Sequence, residues 1–112
     1  MRDSYNITLS PAALEDLRQI YAYIAFELLA PEAAKGQIDR IRGTVRSLNY
    51  MPTRYPVVDW EPWESMKMHK TMVDRYIAFY TIDDENMIVN VVRIVYGGRN
   101  IKQIAIEMDK EK

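Results

Sequence analysis

The sequence predicts an α+β domain of order β-α-α-β-β-β-(α), with an N-terminal helical hairpin packed on one face of a small antiparallel sheet. Three observations carry that expectation. Apolar residues between Leu14 and Leu48 recur at spacings of three and four, the period of an amphipathic helix. Almost nothing separates the two helical stripes, so the helices must fold back on each other. The second half of the chain breaks into apolar, β-branched runs divided by turn residues, as a strand meander does.

Residues 5–9, Y-N-I-T-L, alternate apolar with polar and read as a half-buried strand. Ser10 and Pro11 then supply an N-cap and a proline at the first helical position. Glu15 and Asp16 favour that helix start through the macrodipole. Leu14, Leu17, Tyr21, Ile24 and Leu28 form one stripe, so the first helix runs to about Leu29. Pro31 restarts the count, and Ala34, Ile38, Ile41, Val45 and Leu48 form a second stripe ending near Asn49. Residues 50–62 carry three prolines and no period, and form a loop. Its Trp60, and Trp63 just beyond, are more simply a loop folded onto the core than a surface for a partner.

Strands are expected over residues 66–73, 76–82 and 87–96, with the acidic turn 83–86 between the last two. The long run M-I-V-N-V-V-R-I-V-Y suits a central strand covered on both faces. Gly97 and Gly98 stop it, and Asn100 can cap a short last helix bearing Ile101, Ile104 and Met108 on one side. Strands adjacent in sequence usually pair, which leaves the first strand inserted or at an edge. The sheet face away from the hairpin is expected to be a shallow groove. The expected core is Leu17, Ile24, Ile41, Val45, Phe79, Val89, Val91 and Ile94.

A chain of 112 residues with 48% hydrophobic and 28% charged residues is one globular domain, here taken as residues 1–112, and not a disordered chain. No apolar run is long enough for a membrane helix. The start MRDSYNITLS lacks the apolar core of a secretory signal, so a cytoplasmic location is expected. Cysteine is absent, which excludes a disulfide framework, a thiolate zinc site and a cysteine nucleophile. The net charge of −1 gives no hint of nucleic acid, yet it is unevenly spread. Residues 40–58 hold Arg40, Arg42, Arg46 and Arg54 and no acid; residues 86–106 hold Arg93, Arg99 and Lys102 and no acid. A basic face can hide behind a neutral total.

Four pieces, in order, bring a family into view: S-P-A-A-L-E-D-L-R-Q-I-Y-A-Y-I, P-E-A-A-K-G-Q-I-D-R-I, R-Y-I-A-F-Y-T-I-D and V-V-R-I-V-Y-G-G-R-N-I. The chain resembles the RelE/ParE superfamily of toxins from bacterial type II toxin–antitoxin modules. The resemblance implies a toxin that inhibits growth and is neutralised by a cognate antitoxin. RelE-like members cut messenger RNA in the ribosomal A site; ParE-like members share the fold and poison DNA gyrase. The expectation adopted is RelE-like cleavage, with gyrase inhibition or antitoxin binding alone as the alternatives. Such cleavage uses the ribose 2′-hydroxyl as nucleophile, and needs a base, an acid and cations but neither metal nor cofactor.

The resemblance assigns Arg99, after the last strand, to the scissile phosphate. Ile77 stands where relatives carry an arginine three residues before the strand tyrosine, here Tyr80; Arg75, two residues earlier and on the same face by alternation, can substitute. Tyr96 matches a position of histidine or tyrosine in relatives and can stack or donate a proton. His69, the only histidine, sits in K-M-H-K and can act as acid or base near neutral pH. Alternation puts Lys67 and His69 on one face and Lys70 on the other, and Glu64 is the nearest loop carboxylate. Lys67, Lys70, Arg93 and Lys102 are the expected substrate-binding cations. Ala105 stands near the position of the terminal tyrosine of RelE-like enzymes. The antitoxin is expected in the groove beside the hairpin and on the basic end at Arg93, Arg99 and Lys102.

Overall fold

The computed structural model describes residues 4–110; residues 1–3 and 111–112 of the expected domain lie outside it. Its elements are β1 (Asn6–Leu9), α1 (Pro11–Ala22), α2 (Pro31–Ser47), β2 (His69–Val73), β3 (Tyr76–Asp83), β4 (Ile88–Tyr96) and α3 (Ile101–Lys110). The strand order is β1-β4-β3-β2. The meander pairs antiparallel as expected, but β1 lies at the edge and runs parallel to β4, so the sheet is mixed. No described helix is long and apolar enough to cross a membrane.

Ser10 joins the first two elements. Its Oγ accepts from the Ala13 N–H at 3.0 Å, capping α1, and donates to the Val92 carbonyl at 2.7 Å, tying that cap to β4. β1 stops opposite Val91, and α1 then takes over the exposed edge of β4. The Ser10 N–H bonds the Val91 carbonyl, and the Asp16 carboxylate accepts from the Ile94 N–H at 2.9 Å. The backbone groups of β4 are thus paired by a helix where no strand continues.

The central strands bury both faces. On one face Leu17, Ile20, Ile41, Val45 and Leu48 of the hairpin side pack on Val73, Ala78, Tyr80, Val89, Val91 and Ile94. All the expected core residues are buried except Ile24, which packs on this cluster half-buried. The other face is largely filled instead of forming a groove. Val58, Trp63, Met68, Phe79, Val95, Ile104 and Ala105 make a second cluster there, with the loop and α3 as its lid. Trp63 is buried, stacks on Trp60 with ring centroids 5.4 Å apart, and tilts against Phe79 at 4.7 Å. The tryptophans therefore fold the loop onto the core.

Three boundaries differ from the sequence expectation. β2 begins at His69, because residues 61–67 form successive turns that carry Trp63 inward. The first helix is α-helical only to Ala22 and widens into a π-helical turn over Tyr23–Glu27, before Leu29 leaves it at a φ of 55°. The α2 helix ends at Ser47, where the Arg54 guanidinium bonds the carbonyls of Ser47, Tyr50 and Met51 and so caps the helix. The buried Tyr80 hydroxyl donates to the Pro52 carbonyl at 2.6 Å and fastens the same loop to β3.

Candidate functional site

Two turns meet at one end of the sheet. The β2–β3 turn carries Asp74 and Arg75; the β4–α3 turn carries Gly97, Gly98 and Arg99. The Gly97 N–H bonds the Arg75 carbonyl at 2.9 Å and holds the turns side by side. Asp74 takes a left-handed φ of 55°, and its carboxylate accepts from Arg40 at 2.7 Å and Gln37 at 2.9 Å on α2. The Arg40 hydrogen bond, then that of Gln37, holds the Asp74 carboxyl below its ordinary range. Arg75 is therefore presented by a turn anchored to α2. At Gly98 any Cβ would lie 2.5 Å from the Tyr96 ring, so only glycine lets that ring lie over the turn.

Between these turns and the end of the hairpin opens a cleft of about 630 Å³. Ile20, Tyr23 and Leu28 form one wall; Tyr76, Ile94 and Tyr96 form the other; Arg75 and Arg99 also line it. The Tyr76 and Tyr96 rings meet edge to face at 6.0 Å. Burial, and then the neighbouring Tyr23 and Tyr96 phenols, push the Tyr76 hydroxyl above its ordinary value. On the other side of Arg99 lies a smaller hollow of about 270 Å³ lined by Trp60, Lys70, Ile77, Phe79 and Lys102 among others. The Lys102 ammonium sits 6.0 Å above the Trp60 ring.

The structure thus brings Arg75, Tyr96 and Arg99 into one cleft, and Lys70 and Lys102 together around Arg99 on the opposite side. It separates the other three expected residues from them. His69 lines neither hollow: its ring is buried, stacked on Tyr80 at 5.2 Å, with Nδ1 2.7 Å from the Tyr55 carbonyl. It belongs to the packing of the loop. Lys67 is exposed in that loop at a φ of 56°, before β2 begins, so it does not share a strand face with His69. Arg93 is no free cation, because its Nε and Nη2 bind the Asp16 carboxylate at 2.7 and 2.8 Å in a largely buried pair. The register shift between Phe79 and Tyr80 pairs Phe79 with Arg93 and leaves Val92 as the extra residue.

Asp16 is the residue that sequence reasoning misplaced. It does not serve the helix start, and it faces the sheet from within the apolar stripe of Ala13, Leu17 and Ile20. An acid inside such a stripe was the available signal. The cleft can hold an anion between two guanidinium groups and stack rings on phenols. The carboxylate that lines it, Asp16, is fully occupied by Arg93 and the Ile94 N–H.

No curated protein matches the chain at a significant level. Solved structures resemble it in fold. A chain of the chromosomal ParDE toxin–antitoxin system from P. aeruginosa superposes with a TM-score of 0.68 at 17% identity, over 85% of this chain and 98% of that one. A chain of the RelBE2 toxin–antitoxin complex from Mycobacterium tuberculosis gives 0.60 at 18% identity, over 86% and 94%. A double mutant of E. coli RelE in the free state gives 0.62 at 12% identity, over 94% and 97%. The family model described as "ParE toxin of type II toxin-antitoxin system, parDE" matches residues 7–101. With that match spanning β1 to the start of α3, the chain belongs to the ParE toxin family of the RelE/ParE superfamily, the toxins of type II toxin–antitoxin systems.

Proposed function

We propose that this toxin arrests growth by binding a protein target, DNA gyrase, without chemistry of its own, and that a cognate antitoxin neutralises it. The observation that carries this reading is the make-up of the cleft: two guanidinium groups and phenols, with its single carboxylate already bonded. Cleavage through the 2′-hydroxyl needs a base and an acid placed on either side of the phosphate. His69, the best candidate base in the sequence, is packed under Tyr80 instead. Ile77 puts an aliphatic side chain into the hollow beside Arg99 at the position where the resemblance implies an arginine, which leaves Lys70 and Lys102 as the further cations there. The match to a ParE toxin model supports the same reading.

RelE-like cleavage is the second reading, and one observation favours it. Arg75, Tyr96 and Arg99 share a cleft, so two cations could hold a phosphate while a phenol gives a proton to the leaving oxygen. For the antitoxin, the apolar groove along the outer side of the hairpin is the natural seat. It runs from Leu14 and Tyr21 past Leu17 and Ile38 to Ile7, Leu9 and Val45, with Arg18, Arg42 and Arg46 on its rim. An acidic amphipathic helix fits those walls and that charge. RelBE2, one of the similar structures, was solved as a toxin–antitoxin complex. Inducing the toxin and mapping transcript 5′ ends beside DNA-damage signalling separates the two readings. Damage signalling with unchanged 5′ ends is expected; new ends inside translated codons would support cleavage instead.

A further inference from the structure

We infer that the toxin grips its target with the tip of the helical hairpin together with the Arg75–Arg99 cleft, and that the segment it takes is an apolar, acidic stretch of a protein. This inference rests on the binding reading above. The π-helical turn changes the register of the first helix at Tyr23, and with Leu29 in the left-handed region the chain throws its large apolar side chains outward. Phe26 is 68% and Leu29 82% exposed, with Tyr23 and Leu28 each at 55%. Four such residues within seven positions gather exposed apolar surface at the tip of the hairpin, which an isolated domain rarely leaves bare.

The patch does not end at the tip. Tyr23 and Leu28 are also walls of the cleft that Arg75 and Arg99 line, so one continuous surface has an apolar end and a cationic end. Neither arginine makes an ion pair among the described residues, and Asp16 is occupied by Arg93. The charge left over is positive, and a carboxylate on the target complements it. Two cations beside four apolar side chains suit a protein segment. A nucleic acid would need more phosphate contacts, and the aliphatic Leu28 and Leu29 offer it neither charge nor a stacking face. The Arg75–Arg99 cleft shares no lining residue with the outer groove rimmed by Arg18, Arg42 and Arg46, although Phe26 borders that groove through an edge-to-face contact with Tyr21 at 6.3 Å.

Two double variants test it: Phe26→Ser with Leu29→Ser, and Arg75→Glu with Arg99→Glu. All four side chains are exposed, so the unfolding temperature should stay close to wild type. Binding to purified gyrase holoenzyme should weaken about tenfold or more in each, as for hot-spot residues. Growth arrest at equal expression should be lost. Arg75→Lys with Arg99→Lys should keep much of both. Full growth arrest by the Phe26/Leu29 variant would overturn the inference, since those residues lie outside any chemistry at Arg99. So would sedimentation showing a wild-type dimer that this variant dissolves, because the tip would then serve self-association. If wild-type toxin arrests growth yet does not bind gyrase, the target named above is wrong. The tip is then judged by growth alone: arrest lost in both variants supports it, and arrest kept overturns it.

Discussion

The Asp16 carboxylate takes three hydrogen bonds, from Nε and Nη2 of Arg93 and from the Ile94 N–H, at 2.7, 2.8 and 2.9 Å. Removing it takes the carboxylate partner from a largely buried guanidinium and the acceptor from the Ile94 N–H, and the loss of one partner of a buried pair costs about 3–5 kcal/mol. Asp16→Ala should therefore lower the urea unfolding midpoint severely, and an unchanged midpoint would show that water satisfies Arg93. Tyr80 gives a pH signature. Burial pushes its hydroxyl up to about 12, with the charge of Arg54 opposing and that of Tyr55 adding to the shift. The folded value lies above the unfolded one, near 10. Its stabilising share is complete below pH 10 and disappears as pH rises towards 12. Unfolding free energy should fall across that window, and Tyr80→Phe should flatten the fall while costing about 1 kcal/mol at neutral pH. At this scale the sequence singled out Arg75, Tyr96 and Arg99 at strand ends, and the fold brings these three into one cleft. It could not tell that Arg93 is claimed by Asp16, because that pairing joins residues 77 apart.

Among the elements, β4 was the most legible and the end of α1 the least. A β-branched run interrupted only by Asn90 and Arg93 suits a strand covered on both faces, and Val89, Val91, Ile94 and Val95 are all buried. Val91→Asp places an unpaired charge there, and its cost of several kcal/mol is comparable with the whole stability of a small domain. The variant should be insoluble or lack a cooperative unfolding transition; a soluble, cooperative Val91→Asp protein would mean that the β4 register is different. The π-helical turn was hidden, since Tyr21, Ile24 and Leu28 continue the α-helical spacing and only the tertiary packing reveals the extra residue per turn. The start of β2 was misplaced for a related reason. Residues 66–68 look strand-like, but Met68 is buried with Trp63 and Phe79 before the strand begins, so its burial belongs to the loop.

At the scale of the molecule, the two basic stretches of the sequence resolve into structural and free cations. Arg40 is bound to Asp74, Arg54 caps α2 and Arg93 is buried with Asp16. Arg42 and Arg46 rim the outer groove, while Arg99, joined by Arg75 from outside both stretches, lines the cleft. Total charge could not show this division, since it depends on which acids the fold brings near. Arg99 lines both hollows and its exposed side chain makes no ion pair among the described residues, so Arg99→Ala should stay folded and lose growth arrest. The measurement that bears most directly on the binding account is DNA supercoiling by purified gyrase in the presence of excess toxin. The account predicts that wild-type toxin blocks supercoiling and that Arg99→Ala toxin does not. Supercoiling at its full rate with wild-type toxin present would contradict it.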